Sequence, residues 1–449
     1  MVKDAIATYH QLLCDGQPQD VEAELNAQLR ARKCYFGRRP LCTVLRPHFY
    51  DEAGWAYLKH QTELVLRAFG KAHTACLTDA TMRAQLDLEP YEEILFSIDI
   101  GYDAPWNTSR LDSFYDAHTR SLRFVEYNAE TPAGMAYEDQ LAEAFQDMTI
   151  LKRFSEYYDV RPLPVRHNLL DALLTAYRQF SGSSTAPQIG IIDWADVPTL
   201  AEHELCKEYF EARGYKTILA DPRALEYRNG HLWAGDFRID LIYKRVLCSE
   251  LIIRMGMDNA VVNAVRDRAV CMTNAFSSKL MAKKASFAFV SDEHNAHLFT
   301  HDELAAIEAH IPWTRRVSDR RTHFHGTEID LLAYVAHHRE NFVLKPNDDY
   351  GGKGVMIGWE ATEEDWNAAL RDALTTPHVV QERVQATVEP FPSIIDGQID
   401  ISPRLVDADP FVFLGASVHG CLTRLSTSAL LNVTAGGGSV VPTFVVEKR

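Results

Sequence analysis

The sequence predicts a mixed α/β protein built from more than one subdomain, and three features of its 449 residues carry that expectation. The length exceeds what one ordinary core organises, so two or three units of about 100–200 residues each follow. A βαβ-like module stands near the middle: the apolar strand QIGIIDW, the helical run TLAEHELCKEYFEARG closed at Gly214, and the strand YKTILAD. Nearer the C-terminus the strand FVLKP runs straight into a glycine-rich turn, and a further strand, HVVQERV, comes after it.

The other elements follow in order. Residues 21 to 88 have apolar side chains at three- and four-residue spacing, clearest in AGWAYLKHQTELVLRAFGKA, which predicts a helical scaffold interrupted at Arg38-Arg39-Pro40. EEILFSIDI and SLRFVEYNA read as strands, and AYEDQLAEAFQDM as a helix. The small, polar, proline-ended FSGSSTAP reads as a linker into a new unit. The expected division is therefore 1–180, helical scaffold and strands; 181–270, a small α/β domain; and 271–449, the region of the glycine-rich turn. After Phe276 come a lysine-bearing helix and a helix-like stretch, EIDLLAYVAHHREN; the last 45 residues read as strands and a glycine-rich loop.

Composition narrows the function. A formal net charge of −16 disfavours nucleic acid and anionic membrane as partners, because both are rich in phosphate. No apolar run approaches the ~18 residues of a spanning helix, and MVKDAIATYH lacks an apolar signal core, so the cytoplasm is the expected location. The eight cysteines are scattered without a C-x-x-C pair and are expected as free, buried thiols. His323-Phe-His325 puts two imidazoles on one strand face, but a metal centre needs a third ligand that the sequence does not offer.

The strongest chemical signal is Lys345-Pro-Asn-Asp-Asp-Tyr-Gly-Gly-Lys-Gly354. Lysine supplies a point charge for phosphate oxygens, and Gly351 and Gly352 let backbone N–H groups approach an anion. Asp348 or Asp349 suits the magnesium that accompanies a nucleotide. The motif is not a Walker loop; the competing reading is a polar turn between strands.

A second set is Arg110-Leu-Asp112 with Glu126-Tyr-Asn128. Period two places each pair on one strand face, so two neighbouring strands would present three oxygen ligands and a guanidinium to one point. Thr131-Pro-Ala-Gly134 then turns the chain into a helix whose N-terminus would receive a phosphate or carboxylate. Of Lys279, Lys283 and Lys284, one is expected on a nucleotide phosphate and the others in solvent. Arg424 suits a substrate carboxylate, and the loop Thr434–Ser439, with Gly436, Gly437 and Gly438, suits a cover or an ordinary hairpin turn.

In this order the motifs resemble the ATP-grasp ligases of the eukaryotic-type glutathione synthetase and glutathionylspermidine synthase group. VEYNAETPAG resembles the group's metal-binding stretch, SSKLMAKKAS its first ATP lysine helix, and FVLKPNDDYGGKG its second ATP lysine and glycine-rich loop. The resemblance covers Arg110 to the C-terminus. It implies a glutathione synthetase-like, circularly permuted ATP-grasp fold with an inserted small α/β substrate domain.

It also implies ATP and Mg2+ as cofactors. Asp112, Glu126, Asn128 and Asp349 would hold metal, with Asp348 competing for the last role. Lys345 with Lys283 or Lys284 would meet the phosphates, and Gln381, Glu382 and Val384 the adenine. Arg110 would stabilise the transferring phosphoryl group, Arg245 within IYKR would face substrate, and Arg424 with the 434–439 loop would close on the acceptor.

The implied reaction joins a small-molecule acid to an amine through an acyl-phosphate, in a protein that the resemblance pictures as a homodimer. A phosphotransferase on the same scaffold and a non-catalytic nucleotide-binding protein are the rivals. The identity of the acid and of the amine does not follow from these residues.

Overall fold

The computed structural model describes residues 1–104, 106–349, 351–427 and 438–449. The first hundred are helical, with Val2–Cys14, Pro18–Ala31 and the long α1, Glu52–Thr78. α1 starts where the Asp51 carboxylate accepts the Gly54 N–H, and it buries Leu58, Val65, Phe69 and Ala72 along one face. EEILFSIDI, expected as a strand, begins inside a helix instead, α2, Pro90–Leu95. Pro90 in its first turn and a capping box between Glu89 and Glu92 outweigh the short apolar run.

Strands β1, Thr108–Asp116, and β2, Ser121–Asn128, pair antiparallel and lead to helix α3, Met135–Asp147. Arg110 lies opposite Asn128 and Asp112 opposite Glu126; the register then shifts, leaving Val125 as the extra residue of a bulge.

Beyond the FSGSSTAP loop the βαβ module appears as expected: β3, Ile189–Ile192; α4, Leu200–Ala212; and β4, Thr217–Ala220. β5, Leu241–Lys244, helix α5, Cys248–Met255, and β6, Cys271–Thr273, complete a parallel sheet in the order β6-β5-β3-β4. Ile192, Trp194, Ile242, Val262 and Met272 form a core of its own on this sheet. An antiparallel meander over Leu225–Arg228, His231–Ala234 and Phe237–Ile239, absent from the sequence reading, adds Leu225, Leu232 and Ile239 to that core.

The lysine-bearing run breaks into α6, Lys279–Ala282, and α7, Ala285–Ser291, because Lys283 is extended at ψ 139°. β7, Thr314–Arg316; helix α8, Leu331–His337; β8, Phe342–Pro346; β9, Met356–Ile357; and β10, His378–Glu382, follow. The helix expected over EIDLLAYVAHHREN is shorter, since Thr327–Asp330 is a strand and the Asp330 side chain caps α8. The sheet order is β7-β10-β8-β9. Alternation sends Phe342 and Leu344 of β8 into a core with Trp313 and Trp366, and turns Lys345 to the opposite face.

The chain ends in β11, Thr387–Ile395; β12, Gln398–Val406; β13, Asp409–Phe413; β14, Ser417–Ser426; β15, Ser439–Val441; and β16, Thr443–Lys448. Among the described residues β11 to β15 join β1 and β2 in one seven-stranded sheet, ordered β11-β12-β14-β13-β1-β2 with β15 on β14. β16 runs between His48–Tyr50 and Tyr158–Pro162, so the C-terminus returns to the helical scaffold. No helix among the described residues is long and apolar enough to cross a membrane. All eight cysteines are free, and seven are buried.

Candidate active site

The β1–β2 register brings the first predicted set together. Arg110 donates from Nε and Nη2 to the two oxygens of Asp112, at 2.7 and 2.9 Å, and from Nη1 to the Ala133 carbonyl. Asp112 also accepts from Asn128 Nδ2 at 2.9 Å and from Arg424 Nη2 at 2.8 Å. Burial alone would raise the Asp112 carboxyl, but the guanidiniums of Arg110 and Arg424 outweigh it and hold the group below its ordinary value. Both of its oxygens are therefore taken by donors, whereas Asn128 turns its Oδ1 away from them.

Arg424 is clamped further by two carboxylates that the sequence reading did not single out. Its Nε donates to Asp407 at 2.8 Å and lies 3.0 Å from Asp409. Three buried carboxylates thus share two guanidiniums. Burial, reinforced by the Asp112 and Asp407 charges, outweighs the Arg424 and Arg110 guanidiniums and raises the Asp409 carboxyl above its ordinary value. The period-two pair Asp407-Ala-Asp409 at the head of a strand was the available signal.

Two of the predicted lysines reach this hairpin from distant segments. Lys284 Nζ sits 3.1 Å from Glu126, whose side chain is 32% exposed. Lys345 reaches across from β8, donating to the carbonyl of the bulged Val125 at 3.1 Å and to Gln381 Oε1 at 2.7 Å. Gln381 is held in turn by Thr314. Burial pushes the Lys345 ammonium down to about 8; the Glu126 charge opposes that shift and Lys284 adds to it. Lys284 thus has a carboxylate partner, whereas among the described residues Lys345 is held by a carbonyl and an amide oxygen.

Lys279 and Lys283 do not join them. Lys283 is buried against Glu92 at 2.8 Å, and Lys279 lies 2.5 Å from Asp348 and 3.3 Å from Glu130. Glu130 also takes Lys244 at 3.0 Å and the Cys248 N–H that opens α5. Burial would raise the Glu130 carboxyl, but Lys244 and Lys279 prevail and hold it at about 2. Neither lysine is solvated, as a surface reading would have it. Glu130 continues the alternation of Glu126 and Asn128, which was the signal for it.

Several other expected positions have partners of their own. Arg245 is buried and donates to the Pro132 and Thr131 carbonyls, so it pins the 131–134 turn and leaves less of its fork for a substrate. The N-terminus of α3, expected to receive a ligand, receives the Glu202 carboxylate at 2.7 Å from Gly134 N. The Glu382 carboxylate accepts from His325 Nε2 at 2.8 Å, and Val384 follows the end of β10. His323 lies 3.6 Å from Glu293 instead, so the two imidazoles go to different carboxylates. Gly351 and Gly352 take φ of 67° and 75°, which glycine adopts at no steric cost. The side chain of Asp349 is half-buried and its carbonyl accepts from Lys284. Gly436 and Gly437 lie outside the described residues.

An uncharacterised protein of Mycobacterium tuberculosis is 23% identical over 351 residues, 74% of this chain and 59% of that protein, so the chain spans only part of the relatives it matches. A putative glutamate–cysteine ligase of Frankia alni is 26% identical over 212 residues, 45% of this chain and 23% of that one. A glutathione synthetase-like effector of Globodera pallida, solved in its apo form, superposes with a TM-score of 0.59 at 11% identity, covering 96% of this chain and 98% of that one. At that identity the likeness concerns the fold, an ATP-grasp architecture of glutathione synthetase-like type. The family model for circularly permuted ATP-grasp type 2 matches residues 116–426, and the chain belongs to that family.

Proposed function

We propose that the chain is an ATP- and magnesium-dependent ligase that joins a carboxylate to an amine through an acyl-phosphate. The observation that carries this is the placing of two lysines at the β1–β2 hairpin, Lys284 on the Glu126 carboxylate and Lys345 on the adjacent Val125 carbonyl, beside Asn128 and the Arg110–Asp112–Arg424 cluster, in a chain of an ATP-grasp family.

The donor set fits the substrates. Lys345, half-buried and pushed down by desolvation, gains from an anionic phosphate, and Lys284 stands beside it. Magnesium, when bound, would neutralise phosphate charge, and Glu126 and Asn128 Oδ1 are hard oxygen ligands of the kind it takes, with Asp349 near. Asp112 would reach the ion only by exchanging one of its present donors. Gln381, Glu382 and Val384 lie along the strand and its exit, where they would border the base.

In the reaction an oxygen of the substrate carboxylate attacks the γ-phosphorus and the bond to the β-phosphate oxygen breaks, releasing ADP. The amine nitrogen then adds to the acyl carbon, inorganic phosphate leaves, and the amine gives up a proton. Arg424, anchored by Asp407 and Asp112, would stabilise the charge that develops; Arg110 keeps Asp112 and the 131–134 turn in place. Positioning supplies the rate, with no protein nucleophile. The small α/β unit, residues 181–270, would choose the substrates, and the 434–439 loop would exclude water from the acyl-phosphate.

The test is magnesium-dependent ADP release against acids, amino acids and dipeptides, each with and without amines. A requirement for both an acid and an amine supports the ligase. Release with an acid alone and a stable phospho-product would make the protein a kinase, and nucleotide binding without turnover would leave a sensor.

A further inference from the structure

Six charged side chains form one continuous relay, Lys244–Glu130–Lys279–Asp348–Lys283–Glu92, of three cations and three carboxylates. Five of them are buried, with side chains 8% exposed or less; only Asp348, at 29%, reaches the surface. The relay connects three places: β5 of the small unit through Lys244, the turn after β2 through Glu130, and the glycine-rich turn through Asp348.

That turn begins under further anchors. Asn347 accepts from the Lys284 and Ala285 N–H groups and donates to the Leu86 carbonyl. Beyond it Gly351, Gly352 and Gly354 all take positive φ, conformations that leave the path of the turn to be set by whatever holds its first residues.

We propose that Asp348 is a positioning residue and not a metal ligand: it fastens the glycine-rich turn to Lys279 and Lys283 and, through Glu130 and Lys244, to the parallel sheet of the small unit. The placement of the small unit is thereby felt where the nucleotide would bind. The role in nucleotide binding rests on the ligase reading; the fastening itself does not.

The experiment uses the full chain as wild type, Asp348→Asn, Asp348→Ala and Asp348→Glu. ADP release is titrated separately with ATP and with Mg2+, and amide hydrogen exchange is followed over residues 342–356 without nucleotide. Asp348→Asn is expected to raise the KM for ATP about tenfold, to leave half-saturating Mg2+ unchanged, and to quicken exchange in the turn. Asp348→Glu should recover part of both effects.

A raised Mg2+ requirement with unchanged exchange would make Asp348 a ligand and overturn the proposal, as would wild-type behaviour of Asp348→Asn throughout. Should the wild type release no ADP with any substrate, the ligase reading falls by itself. Exchange in Asp348→Asn and Asp348→Ala then decides the fastening: quicker supports it, unchanged sinks it.

Discussion

Lys283 and Lys284 are neighbours in the chain, yet they serve opposite purposes. Lys283, in the relay, is buried against Glu92, and each cation there has its own carboxylate. Lys284, in the proposed phosphate site, pairs with the part-exposed Glu126, and Lys345 beside it is held by a carbonyl and an amide oxygen. The same two residue types make both clusters. A buried ion pair that is fully matched gives little net stability but costs several kcal/mol to break, so it holds segments in place. A cation in excess of its partners, near the surface, is poised for an incoming anion.

The contrast breaks most visibly if the two lysines are exchanged in role. Lys284→Ala and Lys345→Ala should lower ADP release by about 10²–10³-fold, the scale for removing one preorganised charge, while melting near the wild type. Lys283→Ala should instead destabilise by about 3–5 kcal/mol, because it leaves Glu92 buried and unpaired. A Lys283→Ala protein that unfolds at the wild-type denaturant midpoint would erase the distinction.

Acid sharpens it next. Glu130 titrates at about 2 in the fold against 4.5 unperturbed. A depressed carboxylate contributes stability above its unfolded value and loses it as pH falls through the folded one. Stability should therefore drop between about pH 4.5 and about 2, by roughly 3 kcal/mol from this group. Urea midpoints of Glu130→Gln, lower at neutral pH, should show a shallower decline over that window; a parallel decline would mean another group is responsible.

The phosphate site responds at the alkaline end. Lys345 loses its proton near 8 rather than 10.5, so the unfolded chain binds more protons between those values and its contribution to stability rises with pH there. Nucleotide affinity should move the other way, falling about tenfold from pH 7 to 9.5. Calorimetric titration of Lys345→Arg should be flat over this range; an equal fall in the variant would remove Lys345 as the cause.

The smallest effect is expected at Glu138, a buried carboxylate with no cation, which burial holds well above 4.5. A raised carboxyl contributes stability that is present below the unfolded value and lost as pH rises. Glu138→Gln should match the wild type near pH 4 and gain about 1 kcal/mol at pH 8; a loss at both values would show that the group is charged and satisfied.

Much of the fold was legible because its signals are local. The βαβ module announced itself by alternating periodicities and by Gly214, and the period-two reading of Arg110, Asp112, Glu126 and Asn128 placed all four on facing strands. EEILFSIDI misled because six residues of capped helix and a short strand have the same apolar content. Lys279, Lys283 and Lys284 could not be told apart by spacing, since the helix that would have set their faces breaks at Lys283.

The sequence by itself determined the fold class, the order of the motifs, and which residue types stand at the β1–β2 hairpin and the glycine-rich turn. These depend on periodicity, turn chemistry and residue identity, which act over a few residues. Only the tertiary structure decided which lysine faces Glu126, that Arg245 and Arg424 are held by carbonyls and carboxylates, and that Glu130 and Asp348 bind three segments together. Partnership and burial of a charge are set by residues far apart in the chain, and no local pattern specifies them.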